Sequence, residues 1–181
     1  MARPTTRKKV HEAVLALARE SRVGSLTMEG VAARAAVSKQ TLYRSWPTTG
    51  AILFDALLAR SEGTDGEIVV PDTGDLGDDL GALAAAMVAE LTDRTVEPLL
   101  RAVTAEIQTD AALATQYRET LLSVQMSAIA DRLRCGGVAD PDEVAELFVG
   151  PILHRWLLRS RPFTVGWVAR HVARTVQAAA V

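Results

Sequence analysis

Apolar residues recur at helical spacing along almost the whole chain, and the strict alternation that is typical of strands is almost absent. The clearest stripe lies in the middle of the sequence and consists of Leu76, Leu80, Leu83, Met87 and Leu91. Ala, Leu and Val supply most of the apolar residues, and Ala and Leu favour helices. The pattern predicts an all-α fold of about nine helices.

Capping residues and helix breakers predict where the first helices begin and end. Helix one is expected over about residues 5–22, with Gly24 as its stop. Thr27 and Ser38 are good N-caps for two short helices that a turn at residues 35–37 connects. Pro47 ends the third helix, and a fourth runs from about residue 49 to 60.

The rest of the chain predicts a loop and five more helices. Residues 62–74 are rich in Gly and Asp and form the clearest loop, in which residues 68–70 are a possible scrap of strand. Helices are then expected over residues 76–91, from about residue 96, and over residues 110–136. The eighth starts at Asp140-Pro141, is interrupted at Gly150-Pro151 and ends near residue 160, and the ninth follows Pro162.

Charge divides the chain into two parts of opposite sign. Residues 1–50 hold nine Lys and Arg against three acids, a balance of +6, so the remaining residues carry 11 bases and 19 acids, a balance of −8. Either this asymmetry reflects a polyanionic partner for the first segment, or the basic face is simply solvated.

The N-terminal residues, the length of the uncharged runs and the cysteine content indicate a soluble, cytoplasmic protein. Cys135 is the single cysteine, so no intrachain disulfide is possible. The N-terminus is basic but lacks an apolar core, so no signal peptide is expected. The longest uncharged run is far shorter than a membrane span, and no membrane partner is expected.

The segment from Thr27 to Leu58 carries the functional signal. Two short helices joined by a three-residue turn, with another helix before them, form a helix-turn-helix. The second short helix, residues 39–45, has one apolar anchor, Leu42, and an otherwise polar surface. In a basic segment the natural partner of such a surface is the major groove of double-stranded DNA.

The residues VAARAAVSKQTLYRSWPTTGAIL resemble the signature of the TetR family of transcriptional regulators over about fifty residues. GPILHRWLL, further on, resembles one subgroup of TetR regulatory domains more weakly. Two positions depart from the signature, because Ala36 replaces the usual turn glycine and Thr49 replaces a lysine that commonly contacts a phosphate. The matching positions are Ala32, Ala35, Val37, Ser38, Thr41, Leu42, Tyr43 and Trp46.

The resemblance implies a domain division and a set of DNA-binding residues. Residues 1–48 would be the helix-turn-helix domain, and residues 49–181 a helical-bundle regulatory domain with 49–61 as the connecting helix. Lys39 and Gln40 would reach base edges, with Thr41 near the groove, while Tyr43 and Thr27 would hold phosphates. The remaining candidates are Ser38, Arg44, Thr49, Arg3, Arg7 and Lys8.

The resemblance also implies a homodimer on a pseudo-palindromic operator and a small, mainly hydrophobic effector of unknown identity. Large apolar residues in the last two helices suit a dimer interface, namely Phe148, Ile152, Trp167, Val168 and Val172. The candidate ligand pocket consists of Met87, Leu91, Val103, Tyr117, Leu121, Gln125 and Trp156. The expected function is a ligand-responsive transcriptional regulator that represses and releases its operator on effector binding.

The sequence also bears on two other classes of function, an enzyme and a binding module without DNA binding. The three histidines are scattered and Glu143 and Glu146 have no histidine partners, so neither an enzyme, nor a metal site, nor a cofactor is expected. A helical small-molecule or protein-binding module without specific DNA binding is the alternative, because Thr49 lacks the phosphate-binding amine.

Overall fold

A computed structural model describes residues 3–20, 26–62 and 70–180, and within these ranges it contains helices and no strand. The all-α prediction is confirmed, and the helix count is nine in the described residues when the continuous helix over residues 111–135 is counted once. The helices are α1 (Pro4–Glu20), α2 (Met28–Ala35), α3 (Lys39–Tyr43), α4 (Thr49–Glu62), α5 (Leu76–Thr92), α6 (Glu97–Glu106), α7 (Ala111–Tyr117), α8 (Ser123–Cys135), α9 (Pro141–Leu158) and α10 (Val165–Ala179).

Short polar side chains start most of these helices, as the sequence predicts. Thr27 accepts a hydrogen bond from the backbone N–H of Gly30 at 3.1 Å. Asp75, Asp110 and Thr164 make the equivalent bond at the starts of α5, α7 and α10. Each bond satisfies an N–H group that has no partner inside its own helix. The predicted end of helix one at Arg22, its stop at Gly24 and most of the possible strand at 68–70 lie outside the described residues.

The chain packs as two compact units, and the first comprises Met1–Glu67 with Arg94–Arg118. Here α1 packs against α2, α4 and α6, and α4 packs against α6 and α7. Val10, Val14, Ile52 and Phe54 are buried in its core. The α4–α7 contact is close at Gly50, where a Cβ atom would lie 2.8 Å from Cδ2 of Leu113.

The second unit comprises Ile68–Asp93 with Glu119–Val181. Helix α9 packs against α8, α10 and α5, and α5 packs against α10. A buried ion pair crosses its interior, because the guanidinium of Arg132 binds the carboxylate of Asp79. The backbone N–H and the hydroxyl of Thr73 also donate to Asp79, at 3.0 and 2.8 Å. These bonds attach the segment before α5 to α5 and α8.

Packing divides the chain differently from the predicted boundary at residue 48, since α4, α6 and α7 belong to the same unit as the first three helices. A division by function stays a prediction. A π-helical segment, Arg118–Leu122, connects α7 to α8. It lies where the chain passes from the first unit to the second.

The predicted interruption at Gly150-Pro151 is wrong, because α9 continues through Pro151 to Leu158. A proline leaves one carbonyl without its helical partner, here that of Leu147. The Leu147 side chain is 48% exposed, so this side of the helix is open to water. On the buried side, Nε2 of His171 lies 2.7 Å from the carbonyl oxygen of Phe148 and donates to it. The bond from His171 therefore connects α10 to α9 one residue from the carbonyl that the proline leaves without a helical donor.

Candidate nucleic-acid interface

Helix α3 is short and is held in place by one deeply buried residue. Leu42 is 0% exposed, while Trp46, just after the helix, is 6% exposed. Ser38 caps the helix, because its Oγ accepts from the N–H of Thr41 at 3.1 Å and lies 2.8 Å from the Thr41 hydroxyl. The anchor and the cap orient a five-residue helix that would be unstable alone.

The opposite side of α3 faces solvent. Lys39, Gln40 and Arg44 are exposed, Thr41 is half-buried and Tyr43 is 52% exposed. We call these five residues the recognition edge. It carries two cations, an amide, a hydroxyl and a phenol, which are groups that bind base edges and phosphates. The predicted polar surface of this helix is therefore present and accessible.

The turn between α2 and α3 depends on a left-handed residue at position 36. Ala36 has φ 54° and ψ 45°, and its N–H donates to the carbonyl of Ala33 at 3.2 Å. The N–H of Val37 donates to the carbonyl of Ala32 at 3.0 Å. These bonds end α2 and redirect the chain into α3. The backbone geometry is thus the one for which glycine is usual, although alanine stands here.

A carboxylate in α4 connects three parts of the first unit. Asp55 accepts two hydrogen bonds from Arg7, at 2.7 and 3.1 Å. It lies 2.8 Å from Nε2 of His11 and accepts from the indole of Trp46 at 3.0 Å. Burial raises the pKa of Asp55, but the hydrogen bonds from Arg7, His11 and Trp46 outweigh it and hold the pKa below its ordinary value. Helix α1, α4 and the end of the helix-turn-helix therefore share one ionised group.

Sequence reasoning did not find Asp55, although two signals were present. It is the single acid in the apolar part of α4, and Arg7 and His11 are four residues apart, on one face of α1. The structure adds a contact of Arg7 within the unit, because its guanidinium binds Asp55. A contact of Arg7 with DNA stays a prediction.

The other candidate DNA-binding residues lie at the surface of the same unit. Arg3 and Lys8 are exposed at the beginning of the chain and on α1, and Thr27 is exposed at the start of α2. Thr49 is the first residue of α4 and is half-buried. The cap of that helix is Thr48, whose hydroxyl accepts from the N–H of Ala51 at 3.1 Å.

The predicted pocket residues do not gather in one unit. Val103 and Tyr117 belong to the first unit, where Tyr117 packs edge-on against Phe54 with ring centroids 6.1 Å apart. The other five belong to the second, in which Leu91 and Trp156 are buried and Gln125 is exposed. That these side chains form a ligand site stays a prediction.

Among the described residues of the second unit, two open grooves are lined by none of the predicted pocket residues. One, of about 950 Å³, lies between α5 and α10 and is mainly apolar. The other, of about 1010 Å³, follows α9 past Pro151 and His154 and includes Asp140 and Glu143.

The candidate dimer residues divide into buried and accessible groups. Phe148 and Ile152 are 0% exposed and pack inside their own unit, so they are not available to a partner in this structure. Val172 is also buried, whereas Trp167 and Val168 are half-buried. Trp167 stacks on His171, and Arg155 lies over its ring. The exposed apolar residues of α9, missed from sequence, are Leu147, Leu153, Leu157 and Leu158.

None of the described helices combines the length and apolar character that a membrane crossing requires. Across the described ranges, no three His, Cys, Asp or Glu side chains come together in a metal-binding arrangement.

Comparison with known proteins supplies independent findings. A family model described as "Tetracyclin repressor-like, C-terminal domain" matches residues 70–175. An uncharacterized HTH-type transcriptional regulator of Mycobacterium tuberculosis is 31% identical over an alignment of 157 residues, and the match covers 83% of this chain and 75% of that protein.

Solved structures agree with these matches. The crystal structure of a TetR family transcription regulator has a TM-score of 0.70 and 31% identity, and the match covers 96% of this chain and 97% of the other. The multidrug binding protein EbrR, complexed with imidazole, has a TM-score of 0.70, with coverage of 96% and 90%. Its identity is 18%, so it supports the fold alone.

Proposed function

The chain belongs to the TetR family of transcriptional regulators, and from this premise we propose that it is a repressor that binds a pseudo-palindromic operator as a homodimer. A small, mainly hydrophobic effector binding to the regulatory helices would release it from DNA. Two copies are needed because two recognition helices read half-sites about one helical turn apart.

The observation that carries this proposal is the placement of α3. Leu42 holds the helix from inside, and the recognition edge faces solvent. The surrounding segment, residues 1–50, has a balance of +6, which suits a polyanion. A helix anchored in this way presents side chains to a groove without rearranging the core.

The residue chemistry assigns separate tasks within this surface. The ammonium of Lys39 suits the acceptors of guanine, and the amide of Gln40 suits adenine. Tyr43 and Thr27 would bind phosphates through their hydroxyls, as would the cations of Arg3 and Lys8. Phosphate contacts fix the register, and base contacts give the sequence preference.

Effector response is proposed as a shift between two states of the dimer. An effector that binds better to the state with wrongly spaced recognition helices lowers operator affinity. The division of function between residues 1–48 and 49–181 belongs to the same proposal.

Substitutions on the recognition edge test the proposal. Lys39→Ala and Gln40→Ala should each weaken binding to a duplex from the protein's own upstream region by about tenfold to hundredfold. Gln108→Ala, at an exposed position after α6, is the control and should bind like the wild type. Binding is measured by fluorescence anisotropy, and circular dichroism checks that every variant stays helical.

Salt dependence separates the proposal from its alternative. Phosphate contacts release counterions, so the affinity for DNA should fall steeply between 50 and 200 mM salt. Unchanged affinity in both edge variants would refute the assignment. Absence of salt-dependent binding to any duplex would instead favour a helical binding module without specific DNA binding.

A further inference from the structure

One cation of the recognition edge is already engaged within the protein. The Lys39 ammonium lies 2.7 Å from Oε1 of Glu29 and donates a hydrogen bond to it. The two side chains are 58% and 56% exposed, so the ion pair lies at the surface. Glu29 is the second residue of α2, and Lys39 is the first residue of α3.

This ion pair cancels much of the charge that the recognition edge offers to DNA. The edge has two cations, Lys39 and Arg44, and the pair neutralises one of them. One of the three N–H donors of the Lys39 ammonium is used at Glu29, and this bond holds the side chain against α2. Lys39 therefore reaches a base or phosphate beyond α3 only after its ammonium leaves the carboxylate.

The position of Glu29 adds a second effect. It lies in the first turn of α2, beside Thr27. The free N–H groups at the start of a helix attract anions, and a carboxylate at this place opposes an incoming phosphate.

We propose that Glu29 limits the affinity of the protein for DNA by holding Lys39 in an ion pair that must open when DNA binds. The inference rests on the proposed function and adds a residue that regulates the same surface. Glu29 acts mainly through Lys39, so its effect depends on the presence of that ammonium.

The ionisation of Glu29 agrees with this role. The hydrogen bond from Lys39, with a smaller contribution from the backbone, holds the pKa of the Glu29 carboxyl below its ordinary value. The Glu29 carboxylate is therefore ionised throughout the neutral range.

The size of the effect follows from the exposure of the pair. Exposed ion pairs are weak, and opening one corresponds to about a twofold to fivefold change in an equilibrium constant. Glu29→Gln should therefore raise the affinity for DNA by about twofold to fivefold. It should also steepen the salt dependence by about one counterion, because in the wild type the freed Glu29 carboxylate takes up a cation that offsets one released from DNA.

A double-mutant cycle tests the inference. The four proteins are the wild type, Glu29→Gln, Lys39→Gln and the double variant, and the probe is a fluorescent duplex of random sequence, which requires no knowledge of the operator. Glu20→Gln is the matched control, since Glu20 of α1 pairs with Arg34 of α2, and not with Lys39, at an exposed site in the same unit. Glu20→Gln changes the net charge by the same amount, so the gain in DNA affinity from Glu29→Gln must exceed the gain from Glu20→Gln.

The expected result is a gain in affinity from Glu29→Gln when Lys39 is present and little gain when residue 39 is Gln. An equal gain in both backgrounds would mean direct repulsion of phosphate and would overturn the inference. A loss of affinity would mean that Glu29 positions Lys39 for binding, which also overturns it. A wild type that binds no duplex in a salt-dependent way refutes the proposed function itself, whereas normal wild-type binding with an unaltered Glu29→Gln variant refutes this inference alone.

Discussion

Ala36→Gly tests the backbone argument for the helix-turn-helix. Ala36 ends α2 in the left-handed region, with φ 54° and ψ 45°. There its Cβ atom crowds the following carbonyl oxygen, and a glycine has no Cβ. The substitution removes one methyl group at an exposed position and leaves the core unchanged, so it isolates the cost of this conformation.

The magnitude follows from two opposing contributions. A left-handed conformation costs an alanine about 1 to 2 kcal/mol relative to the right-handed helix. Glycine adds conformational entropy to the unfolded chain, which opposes the gain by about 0.4 to 1 kcal/mol. The net expectation is an increase of about 0.5 to 1 kcal/mol in the free energy of unfolding, or a rise in Tm of about 1 to 4 °C for a chain of this size.

Thermal unfolding followed by circular dichroism measures this effect, at one protein concentration because dimerisation makes Tm concentration-dependent. Ala33→Gly is the matched control. It makes the same chemical change three residues earlier, at an exposed helical position of α2, and should destabilise by about 1 kcal/mol. If the two variants lose stability equally, the turn is not left-handed and the account of α2 and α3 fails.

Three further predictions concern single contacts. Asp55→Asn should lower the free energy of unfolding by about 1 to 3 kcal/mol in a denaturant titration, because the amide replaces one acceptor oxygen and removes the negative charge that binds Arg7; wild-type stability would show that the shared carboxylate is not a structural group. Gly50→Ala should destabilise the protein by up to about 2 kcal/mol, because the new Cβ would lie 2.8 Å from Cδ2 of Leu113 and the steric strain exceeds the gain in helix propensity. A variant that is more stable than the wild type would mean that α7 shifts to accommodate the methyl group at little cost. Burial raises the pKa of Asp79, but hydrogen bonds from Thr73 and Arg132 outweigh it and hold the pKa below its ordinary value. The unfolded chain therefore takes up the proton first, so stability is complete above about pH 4 and falls as the pH is lowered further, and Asp79→Asn should flatten this acid limb of a Tm–pH profile.

Several features of the recognition site could be predicted from local sequence alone. Thr27 and Ser38 act as caps through hydrogen bonds to backbone groups three residues away, and such contacts depend on neighbours in sequence. The burial of Leu42 followed from its being the single apolar residue of a short helix. The signature positions also fix the expected placement of Lys39 and Gln40, which the structure exposes.

Contacts between residues that are far apart in the chain could be identified only from the tertiary structure. Nothing in the local sequence pairs Arg7 with Asp55, 48 residues away, and only the tertiary structure shows this contact. Phe148 and Ile152 look like interface residues in a sequence, because burial within a unit and burial against a partner require the same apolar side chains.

Sequence by itself determined the helices, their caps and the polar character of α3, because periodicity and capping depend on residues within about one turn of each other. The tertiary structure decided which charged groups are engaged, as in the Asp55 cluster and the pair between Glu29 and Lys39. It also decided which apolar residues remain at the surface. Both depend on the packing of helices that are far apart in the chain, and the local pattern of apolar and polar residues does not specify that packing.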